Sequence, residues 1–271
     1  VYKRQPRIAQ KKGAIIIMER GSKHILEQKK ILEKNPHKKN EAIPNRNIKC
    51  NLKAYQFANF ISVASQHVKE SFLLHQYPEN RIFVNPYGVD LSMFKPLPNI
   101  PKKYDVIMVG GWGYEKGCDL IVEAIRKTNY SFIHVGSIKD VDFPQEKNFT
   151  HIDPVDQSKL IEYYNQAKVF ILPSRQDGFG MVLSQALACN LPIIGSNNCG
   201  APDLKKMVEL PEYITIIKDY TADAIVTAIH TAIKNYEQLG ERIYAGNAIE
   251  NLTWEAYGKR YANFLHKIIK Q

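Results

Sequence analysis

The sequence predicts an α/β protein with two Rossmann-like domains, and three observations support this prediction. From Lys103 onward, short apolar strands alternate with amphipathic helices, which is the pattern of right-handed βαβ units and a parallel sheet. Glycine-rich loops follow two of these strands. Before Lys103 the same alternation occurs with fewer strands. We therefore expect a first domain at 1–98, a second domain at 99–250 and a terminal helix within 251–271.

The second domain is predicted from six apolar runs that contain many β-branched residues. The predicted strands are DVIMVGG (105–111), SFIHVGS (131–137), FTHIDPV (149–155), KVFILPS (168–174), PIIGSNN (192–198) and ITIIKD (214–219). Helical spacing predicts helices at 116–128, 157–167, 180–190, 201–208, 221–239 and 241–271. The last helix carries an apolar stripe, which has to be buried against another part of the protein. Its members are Trp254, Tyr257, Tyr261, Phe264 and Ile268.

The first hundred residues contain fewer predicted elements. The strands are GAIIIM (13–18), ISVAS (61–65) and RIFVNP (81–86), and the helices are HILEQKKILEKN (24–35) and HVKESFLLH (67–75). Three strands are too few for a free-standing doubly wound sheet, and the chain opens without Met. We therefore interpret residues 1–5 as non-native and the first domain as cut short. The proline-containing segment 84–99 is predicted to connect the two domains.

Composition indicates a globular protein, with 44% hydrophobic and 24% charged residues. No apolar run is long enough for a membrane-spanning helix. The four cysteines have no metal-site spacing, so we expect buried free thiols in a reducing cytoplasm. The net charge of +10 is concentrated in residues 1–53, which hold 15 Lys and Arg against 4 Glu. Such a patch docks on an anionic membrane face or is simply solvated, whereas no recognition-helix pattern indicates nucleic acid.

One candidate anion-binding loop is GGWGYEKG (110–117). Its glycines, Gly111 among them, let a ligand approach the backbone closely, and Lys116 supplies a positive charge. The spacing matches neither the dinucleotide fingerprint nor a Walker loop. A tight strand-to-helix turn is therefore an equal alternative.

A second candidate loop lies within PSRQDGFGMVLSQALACNLPII (173–194). The amides at the start of its helix are predicted to be free donors that favour a diphosphate and sugar hydroxyls. They belong to Gly178, Phe179, Gly180, Met181 and Val182. Asp177 and Gln185 are candidates for holding a sugar hydroxyl and a ribose hydroxyl. Alternatively, Asp177 merely caps the helix and Gln185 is a polar surface residue.

A third candidate segment, MERGSKH (18–24), follows the first predicted strand. Arg20 and His24 are candidates for contacting a reacting sugar or an anionic acceptor. The alternative is a solvated Arg20, with Ser22 capping a helix. His134, inside an apolar strand, is expected to be a buried histidine whose hydrogen bonds are satisfied.

The order of these segments resembles that of the retaining glycosyltransferases of family 4. The segments are VNPYGVD (84–90), the two glycine-containing loops and the helix that starts at Trp254. The resemblance covers roughly residues 13–271 and implies the GT-B fold, in which two Rossmann-like domains face a cleft. It also implies that the second domain holds a nucleotide sugar and that the last helix crosses back to the first domain.

The resemblance assigns roles to several candidates. Lys116 corresponds to the family's diphosphate-binding lysine, and the loop from Gly178 to Gly180 to the one that cradles sugar and phosphates. Asp177 and Gln185 take the places of the two glutamates of a Glu-x7-Glu motif, which bind the sugar and the ribose. The segment 20–24 lies where the family has a loop that touches the transferred sugar.

Three positions depart from the family pattern. Gly111 stands where an arginine is usual, Asp177 is one methylene shorter than glutamate, and Gln185 is uncharged. We therefore expect the phosphate clamp to rest on Lys116, the helix amides and Arg175. Gln185 gives up a charge-assisted hydrogen bond to the ribose, which is about twice as strong as a neutral one.

The resemblance implies transfer of a sugar from a nucleotide-diphosphate sugar to a glycan, lipid-linked or small-molecule acceptor. Retention of configuration through front-face attack is implied, with the departing phosphate as the base. No cofactor and no metal are implied. Two alternatives stay open: a nucleotide-sugar epimerase with the same fold, and a non-catalytic nucleotide-sugar-binding scaffold. We expect a cytoplasmic protein, and the basic first third favours an acceptor at the inner face of a membrane.

Overall fold

The structure is a computed structural model that describes residues 5–37, 43–208, 211–239 and 247–270. Its strands form two separate parallel sheets, one of three strands and one of six. We call residues 5–37 and 43–84, around the smaller sheet, the amino-terminal lobe. Residues 90–208 and 211–239, around the larger sheet, form the carboxyl-terminal lobe.

The amino-terminal lobe has a parallel sheet in the order β1-β2-β3. Its elements are α1 Gln5–Lys11, β1 Ile17–Arg20, α2 Ile25–Leu32, α3 Asn45–Phe57, β2 Phe60–Val63, α4 Gln66–Leu73 and β3 Ile82–Val84. The three predicted strands and two predicted helices are present. Of the five residues interpreted as non-native, 1–4 lie outside the described residues and Gln5 begins α1.

Two features of this lobe differ from the prediction. The strand predicted from Gly13 begins only at Ile17, because Gly13, at a φ of +77°, lies in the turn that ends α1. Helix α3 was not predicted, because its sequence is mostly polar. Its buried side chains, Ile48 and Tyr55, lie seven positions apart on one face.

The carboxyl-terminal lobe contains every strand predicted for it. Its elements are β4 Tyr104–Val109, α5 Cys118–Arg126, β5 Phe132–Val135, β6 Phe149–Ile152, α6 Leu160–Asn165, β7 Ala167–Leu172, α7 Met181–Ala188, β8 Ile193–Ser196, α8 Ala201–Met207, β9 Ile214–Ile217 and α9 Ala222–Leu239. The sheet order is β6-β5-β4-β7-β8-β9. Strands are added on one side of β4 and then, from β7 onward, on the other. The α/β class and the parallel sheet are confirmed.

The core of the carboxyl-terminal lobe explains why its strands are continuous apolar runs. Ile107 of β4, Phe170 of β7 and Ile194 of β8 are all fully buried. A parallel sheet covered on both faces has no solvent side, so its strands need not alternate between apolar and polar residues. Each fully buried side chain of this size stabilises the fold by about 1.5–3 kcal/mol.

The chain crosses between the lobes twice, and the two crossings touch. On the first crossing, the Val89 amide donates to the Leu252 carbonyl of the second at 2.7 Å. A Cβ atom placed on Gly88 would lie 2.5 Å from the Trp254 nitrogen, so only glycine permits this backbone contact.

The last helix, α10 (Trp254–Ile269), begins later than predicted. Residues 247–252 form a 3₁₀ turn instead, and 241–246 lie outside the described residues. Thr253 sets the start of α10, because its side chain accepts a hydrogen bond from the Ala256 amide at 3.1 Å.

The apolar stripe of α10 packs on the sheet of the amino-terminal lobe. Phe264 stacks on Phe83 with ring centroids 4.2 Å apart and meets Phe60 edge-on at 5.3 Å. Tyr257 donates from its hydroxyl to Glu19 at 2.8 Å. The helix that follows the carboxyl-terminal lobe thus covers the other lobe.

All four cysteines are free thiols, as expected, and Cys118, Cys189 and Cys199 are buried. Cys50 on α3 is exposed, so the expectation of burial is wrong for this residue. Each helix in the described part of the chain is too short or too polar to pass through a lipid bilayer.

Candidate functional site

The two predicted loops meet at one edge of the six-stranded sheet. The loop 110–117 follows β4 and the loop 173–180 follows β7, and these strands are neighbours in the sheet. The chain leaves β4 toward one side and β7 toward the other, which makes this edge the topological switch point of the sheet. Ligands of open α/β sheets bind in the crevice at such a point.

Lys116 and Asp177 join the two loops. The Lys116 Nζ atom lies 2.6 Å from Asp177 Oδ2, and both side chains are largely buried. Burial alone would lower the pKa of Lys116, but the charge and hydrogen bond of Asp177, together with the charge of Glu115, outweigh burial and raise this pKa. Lys116 is therefore a cation throughout the physiological pH range.

Arg175 fixes the shape of the first loop. Its guanidinium forms two hydrogen bonds to the Asp119 carboxylate, at 2.6 and 2.7 Å, and donates to the Tyr114 carbonyl at 2.7 Å. It also lies 3.7 Å from the centre of the Tyr114 ring. This geometry gives Arg175 a role in positioning the loop, and its place in a phosphate clamp stays a prediction.

The loop from Gly178 to Val182 lies against the amino-terminal lobe. A Cβ atom on Gly178 would overlap the Gly21 carbonyl, and the Ser65 hydroxyl donates to the Gly178 carbonyl at 2.6 Å. Gly180 has a φ of +79° and precedes α7, a conformation that favours glycine. Met181 is exposed and Val182 half-buried.

Phe179 departs from the expectation of free amides in this loop. Its backbone amide donates to Asp177 Oδ1 at 3.3 Å, so this donor already has an acceptor. Its ring is buried and meets Tyr87 edge-on at 5.8 Å. Phe179 thus anchors the loop to the crossing between the lobes.

Gln185 is buried within the carboxyl-terminal lobe. Its Oε1 atom accepts a hydrogen bond from the Tyr164 hydroxyl at 2.9 Å, which fixes the orientation of the amide. The alternative that Gln185 is a polar surface residue is wrong. In the described part of the chain its Nε2 group makes no hydrogen bond, so its donors remain for the predicted ribose contact.

Gly111 lines a cavity of about 170 Å³ between the lobes. The carboxyl-terminal lobe contributes Gly111, Gly113, Glu115, Lys116, Lys139 and Asp140, and the amino-terminal lobe contributes Leu32 and Asn35. The glycine loop and the Lys116 side chain therefore border one space, as a loop that binds an anion requires.

The structure contradicts the prediction for His24. This residue is 4% exposed and stacks on His75 with ring centroids 4.0 Å apart. Burial, with a smaller effect of His75, lowers the pKa of His24 to about 4. Its Nδ1 atom accepts a hydrogen bond from the Leu26 amide at 3.4 Å, which caps the start of α2. His24 is a buried, neutral capping residue and not a cleft residue.

Arg20 also serves the shape of its own loop. Its guanidinium donates twice to the Lys23 carbonyl, at 3.1 and 3.0 Å, and once to Gln28 at 2.7 Å. It is half-buried, so the alternative of a solvated arginine is wrong as well. A contact of Arg20 with a sugar stays a prediction.

Two other residues of the same segment reach the opposite lobe. Gln176 donates to the Ser22 hydroxyl at 2.5 Å, and Lys23 donates to Asn198 at 2.6 Å. Ser22 therefore contacts the other lobe rather than capping the helix. The motif MERGSKH located this contact, but which of its side chains point into the cleft depends on the turn after β1.

His67 was missed entirely by the sequence analysis. It lies in the first turn of α4, it is buried, and neither of its ring nitrogens has a hydrogen-bond partner in the described part of the chain. Burial and the nearby Lys23 lower its pKa to about 4, against a smaller opposing effect of Asp177. The position of His67 just after a parallel strand is the signal that could have pointed to it. His134 is buried and bonded to the Gly110 carbonyl at 2.8 Å, as expected.

The chain contains one Asp-x-Asp sequence, Asp140-Val141-Asp142. The expectation of a site without metal overlooked this sequence. The oxygens of Asp140 accept from the Tyr114 amide at 2.9 Å and from Asn35 at 2.7 Å. Asp142 is exposed. Within the described ranges, no three His, Cys, Asp or Glu side chains are grouped so that they could hold a metal ion.

Two relatives illustrate what the chain is similar to in sequence. It is 26% identical over 242 residues to a probable sucrose-phosphate synthase of Thermosipho melanesiensis, over 79% of this chain and 56% of that protein. It is 23% identical over 242 residues to the GDP-mannose-dependent alpha-(1-6)-phosphatidylinositol monomannoside mannosyltransferase of Mycolicibacterium smegmatis, over 77% and 62%. The chain thus spans little more than half the length of these relatives.

Solved structures show the same arrangement of two lobes. HepE of Anabaena, in complex with UDP and glucose, matches with a TM-score of 0.73 at 14% identity, over 97% of this chain and 74% of that chain. The sucrose-phosphate synthase of Thermosynechococcus elongatus matches with a TM-score of 0.70 at 19% identity, over 97% and 70%. The predicted GT-B fold is confirmed.

The family comparison covers the lobe in which the two loops meet. Residues 92–248 match the family described as Glycosyl transferases group 1. This range is more than half of the chain and includes Lys116, Asp177 and Gln185. The protein therefore belongs to the glycosyl transferases of group 1.

Proposed function

We propose that this protein transfers a sugar from a nucleotide-diphosphate sugar to an acceptor hydroxyl, with retention of configuration. The observation that carries the proposal is the pairing of Lys116 with Asp177 at the switch point of the six-stranded sheet. This pair lies between two glycine-containing loops in a member of a glycosyltransferase family. A cation, backbone amides and a carboxylate are the groups that phosphates and sugar hydroxyls need.

Each group has a distinct role in this proposal. The Lys116 ammonium binds the diphosphate, and Asp177, which it now neutralises, accepts a hydrogen bond from a hydroxyl of the donor sugar. The amides that begin α7 face the phosphates. The Nε2 group of Gln185, oriented by Tyr164, donates to a ribose oxygen.

The proteins that resemble this chain are linked to more than one nucleotide. HepE was solved with UDP, whereas the mycobacterial mannosyltransferase is named for GDP-mannose. Proteins similar to this chain thus differ in the base of the nucleotide, so nucleotide binding is measured with UDP, GDP and ADP.

Retention follows in this proposal from attack on the face that the diphosphate leaves. The bond from the anomeric carbon to the phosphate oxygen breaks while the acceptor oxygen approaches on the same side. The departing phosphate oxygen takes the acceptor proton. Lys116 and the α7 amides stabilise the negative charge that grows on the phosphate, and fixed donors of this kind contribute about 3–4 kcal/mol each to such steps.

The acceptor proposal rests on the basic surface of the amino-terminal lobe. Arg46, Lys49 and Lys53 of α3 are exposed and lie three and four positions apart, on one side of the helix. A cationic helix side attracts anionic lipids. We favour an acceptor presented at a membrane surface, and a vesicle-binding assay with and without anionic lipid tests this preference.

The donor site is tested first by calorimetric titration of UDP, GDP and ADP into the chain. Binding of one nucleotide is expected, and Lys116→Ala should weaken it about tenfold or more through loss of a charge-assisted hydrogen bond. Lys147→Ala, which removes an exposed lysine of the same lobe, is the matched control. A folded chain that binds none of the three nucleotides would contradict the donor site.

The transfer step is tested with the matching nucleotide sugars. Release of nucleoside diphosphate with an acceptor, and a product whose anomeric proton shows the donor's configuration, are expected. An epimerised sugar formed from the donor alone would favour an epimerase. Binding without turnover in any acceptor mixture would favour a scaffold.

A further inference from the structure

Lys139 holds a defined place beside Gly111. The loop that follows β5 is hydrogen-bonded to the loop that follows β4: the Trp112 amide donates to Ser137 at 2.8 Å and the Lys139 amide to the Trp112 carbonyl at 2.9 Å. These bonds continue the β4–β5 ladder beyond the strands. The position of Lys139 is therefore set by the register of the sheet.

The missing side chain of Gly111 makes room for Lys139. A Cβ atom built on Gly111 would overlap Lys139 Cε and lie 2.8 Å from Lys139 Nζ. The Gly111 backbone has no left-handed φ that would itself demand glycine. What glycine provides here is space for the lysine, whose ammonium lies directly over the loop.

Lys139 and Lys116 border the same cavity, the space of about 170 Å³ between the lobes. Lys116 is paired with Asp177 at 2.6 Å. The Lys139 ammonium, by contrast, has no hydrogen bond or ion pair with any residue that the structure describes. Its side chain is exposed, and of the carboxylates that border the cavity, Glu115 interacts with it electrostatically.

The cavity is bordered by carboxylates as well as by the two lysines. Both oxygens of Asp140 accept hydrogen bonds, from the Tyr114 amide and from Asn35. Burial raises the pKa of Glu115, and Asp177 and Asp140 add to this effect against Lys116 and Lys139. The raised pKa favours the neutral form of Glu115 and so weakens its repulsion of a phosphate in this cavity.

We propose that Lys139 is a second cation for the diphosphate of the nucleotide, reaching it over Gly111 from the border of the cavity that it shares with Lys116. This inference rests on the proposed function, since it assigns a further residue to the same ligand. Two ammonium groups that border one cavity suit a dianionic, two-phosphate group better than a single phosphate. Lys139 adds a charge to that of Lys116 beside a loop whose other cation, Arg175, is paired with Asp119.

The test compares the diphosphate and monophosphate of whichever nucleoside the wild-type chain binds, by calorimetric titration. Lys139→Ala is expected to weaken diphosphate binding about tenfold, the effect of one charge-assisted hydrogen bond, and monophosphate binding by less than about threefold. Lys147→Ala changes the net charge equally and is expected to change neither.

A relocation variant separates charge from local structure. In Gly111→Lys/Lys139→Ala, the ammonium starts from the other loop but can reach the same cavity, and most of the diphosphate affinity should return. Circular dichroism checks that each variant is folded.

Two results would overturn the proposal, and they differ. If Lys139→Ala binds diphosphate like the wild type while Lys116→Ala does not, the donor site stands and the role of Lys139 is refuted. If the folded wild type binds no nucleotide, the proposed function fails and this inference fails with it.

Discussion

The two lobes of the protein differ in how their sheets are covered. The carboxyl-terminal lobe has six strands, and its helices and strands form one continuous core. The amino-terminal lobe has three strands and a separate, smaller core, and much of its sheet is covered by α10, which follows the other lobe in sequence. The first lobe therefore depends for part of its packing on a helix that follows the second lobe, whereas the core of the second lobe is built largely from its own elements.

The largest expected effect tests this asymmetry directly. Phe170→Ala, in the core of the carboxyl-terminal lobe, should reduce the free energy of unfolding by about 4 kcal/mol, and Phe72→Ala, in the smaller core, by about 3 kcal/mol. Both side chains are fully buried. Hydrogen exchange followed by mass spectrometry should show Phe72→Ala loosening the amino-terminal lobe alone and Phe170→Ala loosening both.

Leucine at either position keeps most of the apolar volume and serves as the control. If the two alanine variants exposed the same peptides to exchange, the lobes would unfold as one unit and the asymmetry would be wrong.

A pH-dependent effect is expected where the lobes meet. The Asp203 carboxylate accepts a hydrogen bond from the Gln66 amide at 3.0 Å. Burial raises the pKa of Asp203 from 3.8 to about 6. Glu70 adds to this shift and Lys206 opposes it. An acid with a higher pKa when folded binds protons more tightly in the folded state. Its contribution to stability therefore falls as pH rises from about 4 to 6, by about 3 kcal/mol at most.

Asp203→Asn should flatten this part of the curve of unfolding free energy against pH. Denaturant titrations between pH 4 and 7 measure it, with the exposed Asp219→Asn as control. A curve for Asp203→Asn with the same slope as that of the wild type would argue against the shift.

A smaller effect is expected for the contact between α10 and the first lobe. Phe264 is half-buried against Phe83 and Phe60, so Phe264→Ala should cost about 2 kcal/mol. The loss should appear as faster exchange in β2 and β3. Phe264→Leu retains part of the buried area, so its loss of unfolding free energy should lie between zero and that of Phe264→Ala. Faster exchange confined to the carboxyl-terminal lobe would show that α10 does not support the first sheet.

The smallest perturbation uses the cysteines as reporters. Ellman's reagent should label one thiol of the native chain, Cys50 of the amino-terminal lobe, because the other three are buried. Burial also raises the pKa of Cys189 and of Cys199 to about 12, and the thiolate is the reactive form. All four should react in denaturant, and rapid labelling of more than one native thiol would mean that the larger core opens easily.

The same asymmetry explains what the sequence could predict. In the carboxyl-terminal lobe, both faces of the sheet are buried, so every strand is a recognisable apolar run, and the loops holding Lys116 and Asp177 follow directly. In the amino-terminal lobe, α3 has a polar sequence and was missed.

Side-chain direction was harder to predict than position. Arg20, His24 and Arg175 each lie in a segment that reaches the cleft, yet their own contacts are with nearby groups of the same lobe. Which side of a loop a residue occupies depends on turns and on packing partners distant in sequence. Lys139 carries no motif at all, because its contact with Gly111 arises from the pairing of β4 with β5.

The contact between the two crossings has a geometric consequence. Gly88 lies against the backbone of Trp254, and Val89 is bonded to Leu252. A rigid rotation of one lobe against the other keeps both contacts only if its axis passes through them. Lys116 and Ser22 belong to different lobes and take no part in these contacts, so such a rotation would change the distance between them. Gly88→Ala would push the two crossings apart. We therefore expect it to change the angle between the lobes rather than the chemistry at Lys116.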